Sequence, residues 1–93
     1  MNKQLLIENL EEKNNVILYF NSGGCGPCMQ AKPLVQKIVE SKKGYVYADV
    51  TEGSKGSNEL EKFCGVEFYP TLVIIENGKV NRYVGLKQLN ELK

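Results

Sequence analysis

The sequence predicts a mixed α/β fold, a four-stranded sheet with helices on both faces. Two observations carry this expectation. Between Val16 and Val50 a strand-like run, a helical stretch and a second strand-like run follow one another, an order that calls for a parallel, right-handed crossover. Further on, "TLVIIENGKVNRYVG" offers two β-rich runs joined at Asn77 and Gly78, the dipeptide that most favours a tight hairpin. A parallel first half and an antiparallel second half then share one sheet, and helices must cover both of its faces.

The elements follow in order. Asn2 to Lys13 sets Leu5, Leu6, Ile7 and Leu10 at helical spacing, and "KNN" stops it. Val16 to Phe20, "VILYF", is a continuous apolar run that suits a central strand buried on both faces. It ends in "NSGG", and a cysteine pair follows. From Cys28 through "MQAKPLVQKIVESKKG", Cys28, Ala31, Val35 and Ile38 fall on one stripe, with Gly44 as the stop. Pro33 interrupts that helix, where a missing N–H should kink it. Tyr45 to Val50, "YVYADV", reads as the next strand. After the polar loop "TEGSKGS", Asn58 to Cys64 forms a short helix with Leu60, Phe63 and Cys64 turned inward. The hairpin comes next, and "LKQLNELK" closes with a short helix through Leu86, Leu89 and Leu92. With no repeat, low-complexity tract or linker, 93 residues are expected to make a single domain spanning 1–93.

Composition narrows the function classes. Hydrophobic residues at 42% and charged residues at 25% describe a soluble globular chain. Twelve basic against eleven acidic residues leave a net charge of +1, so nucleic acid is not an expected partner. The apolar patch Leu5 to Ile7 is broken by Glu8, too short for a signal peptide or a membrane span. Three cysteines are an odd count, unlike a disulfide-held secreted scaffold. The expected address is therefore the cytoplasm. Three cysteines without histidine fall short of the four ligands of a zinc or iron-sulfur site, so no metal is expected. As a structural staple, Cys25 and Cys28 would close too small a loop to constrain the unfolded chain.

What remains for the pair is redox chemistry. Cys25 stands where the first strand hands over to the helix, exposed to unpaired backbone donors and to the positive end of the helix dipole. Such contexts bring thiol pKa values from ~8.5 to roughly 3.5–7.5. Cys28 lies one turn further in, more buried and less acidic. Cys25 is thus the attacking thiolate on a substrate disulfide, and Cys28 the thiol that resolves the mixed disulfide. Pro27 suits the first helical turn, and Gly26 lets a partner chain approach. Cys64, on an apolar helix face, reads as a small buried hydrophobe.

At this point the sequence resembles the thioredoxin family. "CGPC" matches its active-site motif, Pro33 its kinking proline, "YPT" from Tyr69 to Thr71 its cis-proline segment, and "GKV" with Gly85 its C-terminal half. The likeness runs from about Val16 to Val84. It implies the thioredoxin-like fold, here without the family's first strand, and protein-disulfide reduction as the activity. It also implies Tyr69 and Pro70 as substrate contacts, with Gly24, Gly26, Pro27 and Gly85 on the same docking surface. The implied partners are disulfide-bearing proteins and an NADPH-dependent thioredoxin reductase that restores the dithiol. No cofactor beyond the Cys25–Cys28 couple, no membrane and a monomer are implied. Two positions depart from the family. Gly24 stands where the family has Trp, and Tyr19 stands in place of a buried Asp thought to help deprotonate the second cysteine. A tyrosine phenol ordinarily titrates near ~10 and is a poor base at neutrality, so a slower resolving step or a different potential is expected. Two rivals are a glutaredoxin-like, glutathione-dependent protein, against which the Gly-Pro of the motif speaks, and a redox-inactive peptide-binding module.

Overall fold

The structure, a computed structural model, describes residues 1–92. Its elements are α1 (Lys3–Glu11), β1 (Val16–Asn21), α2 (Gly26–Ser41), β2 (Val46–Thr51), α3 (Ser57–Cys64), β3 (Thr71–Glu76), β4 (Lys79–Val84) and α4 (Gly85–Leu92). The described chain opens directly on a helix.

One sheet holds the four strands in the order β2-β1-β3-β4. β1 pairs with β2 in parallel, Tyr19 opposite Asp49, as the strand-helix-strand order requires. β1 also pairs antiparallel with β3, Phe20 opposite Thr71, and β3 with β4. Between the last two strands Asn77 and Gly78 both take positive φ, 53° and 80°, as a mirror-image hairpin turn demands. The central strands β1 and β3 are buried on both faces, which is why they read as unbroken apolar runs.

Alternation along β1 and β3 sends side chains to two separate cores. Leu6 of α1 with Leu60 and Cys64 of α3 covers Val16, Leu18, Phe20, Val73 and Ile75. On the other face, Ala31, Val35 and Ile38 of α2 and Leu89 of α4 cover Ile17, Tyr19, Leu72 and Ile74. Two helices per face therefore follow from the strand pattern.

α2 begins at Gly26 with Pro27 in its first turn, as expected, and Cys25 is its N-cap. The short closing helix is α4, Gly85–Leu92. One expectation shifts. Phe63 is 42% exposed and not inward. Ser57, Leu60 and Cys64 already fill the buried stripe of α3, and Phe63 lies one residue, about 100°, off that stripe. Cys64 is buried, as its apolar setting suggests. Among the described residues no helix is long and apolar enough to cross a membrane.

Candidate functional site

The site grows from the carboxyl end of β1. Asn21 and Ser22 turn the chain away from the sheet, and their side chains anchor it: Asn21 Nδ2 donates to Asp49 at 2.7 Å and Ser22 Oγ to Glu52 at 2.8 Å. The Glu52 N–H in turn donates to the Asn21 carbonyl at 2.8 Å. Cys25 N–H closes the turn on the Ser22 carbonyl. Nothing stands within 4 Å of where a Cβ would lie on Gly23, Gly24 or Gly26, so these glycines leave the cysteine approach open.

Cys25 is the N-cap of α2, with extended backbone, and its Sγ accepts the N–H of Cys28 at 3.1 Å. A sulfur thus occupies the place where Ser or Asp would normally satisfy an orphan helix donor. Cys25 and Cys28 are joined in a disulfide, their Cα atoms 5.2 Å apart. Cys25 is half-buried, whereas Cys28 is only 4% exposed. The asymmetry expected from a helix start is present.

Beneath the pair lies Tyr19, 2% exposed, whose hydroxyl donates to the Cys28 carbonyl at 2.7 Å. Burial above all, then the Asp49 carboxylate and Tyr47, pushes its phenol up to about 12. It keeps its proton at neutral pH and donates. It reaches the main chain, not a sulfur. Pro33 sits in α2 five residues beyond Cys28 and offers no N–H to the Met29 carbonyl.

The antiparallel register sets Thr71 beside Phe20, so the turn before β3 lies at the same end of the sheet as the cysteine loop. Tyr69–Pro70 is a cis peptide there, and the Pro70 carbonyl accepts the Gly85 N–H at 2.9 Å. Gly85 has φ of +81°, a conformation that suits glycine alone, and it starts α4. Tyr69 packs against the α1/α3 core and donates its hydroxyl to Glu61. Its side chain is committed inward. Burial first, then Glu61 and Glu52, holds its phenol well above the ordinary tyrosine range.

Cys25, Cys28, Gly24, Gly26, Pro27, Tyr19 and Pro33 therefore gather on one segment and the strand beneath it, and Tyr69, Pro70 and Gly85 form a second group held together by one main-chain bond. Three residues were not singled out from the sequence. Asp49 of β2 and Glu52 just after it fix the cysteine loop, and Phe68, 63% exposed beside Tyr69, protrudes at the turn before β3. Only the "EFYPT" run hinted at the last. Among the described residues no cluster of three or more His, Cys, Asp or Glu is disposed to hold a metal.

A cysteine pair that closes a disulfide on the first turn of a helix, at the end of a central strand, defines the chain as a thiol-disulfide oxidoreductase by class. The particular family follows from comparison: the thioredoxin family model matches residues 2–93, and the chain belongs to the thioredoxin family. It is 28% identical over 95 residues to a thioredoxin from Mycoplasmoides gallisepticum, covering 99% of this chain and 91% of that one. A thioredoxin from Malassezia sympodialis is 33% identical over 75 residues, covering 75% of this chain and 68% of its own length. The fold is that of oxidised thioredoxin O2 from Arabidopsis thaliana, with a TM-score of 0.76 at 18% identity, covering 98% of this chain and 84% of that one. It is also that of spinach chloroplast thioredoxin F, with a TM-score of 0.73 at 22% identity and coverage of 99% and 86%.

Proposed function

We propose that this chain is a dithiol reductant of protein disulfides, working as one domain in the reducing cytoplasm. The observation that carries the reading is the place of Cys25. Its sulfur already accepts the Cys28 N–H at the head of a sixteen-residue helix, where the same donor and the helix dipole favour a thiolate.

Cys25 attacks one sulfur of a substrate disulfide. The Cys25–substrate bond forms, and the other substrate sulfur leaves with the electron pair and takes up a proton. Cys28, deprotonated, then attacks Cys25, forming the intramolecular disulfide and releasing the second substrate thiol. The substrate gains two electrons and the dithiol loses two. An NADPH-dependent thioredoxin reductase, as the family implies, returns them. In this reading the couple is Cys25–Cys28 alone, without metal or organic cofactor.

The open glycine surface around Gly24 and Gly26, with Pro27, lets a substrate chain reach the half-buried sulfur. At Tyr69 and Pro70 the inward side chain leaves the main chain to meet the substrate, while Gly85 holds the turn in shape through the Pro70 carbonyl. Tyr19 and Pro33 support the helix start.

A Cys28→Ser variant tests the scheme. With a disulfide-bearing protein it should accumulate a covalent adduct on Cys25 that dithiothreitol reverses, and Cys25→Ser should form none. No adduct on Cys28→Ser, or full reductase activity in Cys25→Ser with a thioredoxin reductase and NADPH, contradicts it.

A further inference from the structure

We infer that Tyr19 is a positioning residue for the resolving half-reaction: by tying the main chain of Cys28 to the sheet, its hydroxyl sets where the Cys28 sulfur stands against Cys25. The inference rests on the reading of Cys25 and Cys28 as a working dithiol.

Tyr19 brings a hydroxyl into an otherwise apolar cluster of Ile17, Ala31, Val35, Leu72 and Leu89. A buried hydroxyl must find a partner. The one it finds is the carbonyl of the resolving cysteine itself, at 2.7 Å. On the other side of the same residue, the Cys28 N–H is taken by the Cys25 sulfur at 3.1 Å. Both main-chain groups of Cys28 are therefore held, one by its redox partner and one by the central strand. Once the internal disulfide is open, rotation about the Cys28 side-chain bond is what remains free.

The tether falls beside a gap in the helical ladder. Pro33 brings no N–H, so the Met29 carbonyl, next to that of Cys28, lacks its helical donor. Tyr19, on the central strand β1, holds α2 to the sheet at this point. Well-oriented intramolecular reactants gain most of their rate from such restraint.

In the step itself, a lone pair of the Cys28 thiolate forms the bond to Cys25 while the Cys25–substrate bond breaks. The departing pair leaves on the substrate sulfur, which takes a proton from water, and the Cys28 proton has already passed to water. Tyr19 neither gives nor takes a proton. The charged and titratable groups that face it are Asp49 and Tyr47 from β2, and both of these hold its proton in place.

Single-turnover reaction of the reduced protein with dithiobis-nitrobenzoate separates the two steps. Attack by Cys25 releases one coloured thiolate, and resolution by Cys28 releases a second; Cys64, buried, stays silent. In Tyr19→Phe the first release should match the parent's within about twofold, and the second should slow roughly tenfold. The rate of the second release should keep the same midpoint along pH. A second release as fast as the parent's, or a midpoint that moves, overturns the inference and leaves the dithiol reading standing. A parent that gives only one release overturns both. In the unaltered protein the Tyr19 hydroxyl proton should exchange with water slowly enough to be seen by NMR, correlated with the Cys28 carbonyl. Free exchange there overturns the tether whatever the variant does.

Discussion

Alkaline titration of the oxidised protein should destabilise it, and two of the most deeply buried titrating side chains contribute a definite share of the loss. Cys64 is 2% exposed, and burial pushes its thiol from 9.0 up to about 11 in spite of the Arg82 guanidinium nearby. Tyr19, equally buried, is raised from 10.0 to about 12. The unfolded chain releases both protons at their ordinary values while the folded chain keeps them. Stability is therefore intact below about pH 9 and falls as pH climbs through the raised values. A group held two pH units high is worth somewhat under ~3 kcal/mol once both forms have titrated, so the pair removes a little over ~5 kcal/mol, comparable with the whole stability of a small domain. Urea midpoints followed by circular dichroism, taken at steps between about pH 8 and pH 12, read this loss. Cys64→Ala removes the thiol and should flatten the fall between about pH 9 and 11, although it starts lower by the packing of one sulfur. A parent whose stability stays level to pH 12, or a Cys64→Ala variant that falls as steeply as the parent between about pH 9 and 11, would refute the reasoning.

Other substitutions probe separate links. Leu60→Ala, at the centre of the α1/α3 core, should lower stability by about 2–5 kcal/mol in denaturant titration yet leave the thiol exchange rates intact, since the cysteines lie over the opposite core. Asn2→Ala deletes the side chain that caps α1 on the Leu5 N–H at 2.8 Å and should lower stability by about 1 kcal/mol. Gly24→Trp meets nothing within 4 Å at its Cβ and should leave the thermal midpoint within about 2 °C of the parent, while it lowers KM for a protein disulfide by restoring an aromatic docking surface.

The sheet was legible because its central strands carry unmixed apolar runs and its hairpin carries Asn77-Gly78, signals that arise from burial on two faces and from positive φ. The cysteine pair was legible for a different reason: a short spacing at a strand-to-helix junction leaves few other uses for two thiols. What stayed hidden depended on side chains meeting across the fold. Nothing local says that the Tyr19 hydroxyl ends on the Cys28 carbonyl, because that contact requires α2 to cross β1 at one height. Asp49 and Glu52 look like ordinary strand-end and loop acids until the parallel register brings them beside Asn21 and Ser22. Phe63 misled because a short helix has room for only one buried stripe, and Ser57, Leu60 and Cys64 occupy it. Tyr69 was noticed for its place before Pro70, but its bond to Glu61 comes from α3.

The reduction potential of the Cys25–Cys28 couple tests the central claim most directly. The protein is equilibrated with thiol-disulfide buffers of defined composition, and its free thiols are trapped and counted. A reversible two-electron transition near ~−270 mV is the predicted result, the value of a reductant. A couple near ~−120 mV, that of a strong oxidant, or the failure of any reversible disulfide to form between the two residues, would contradict it.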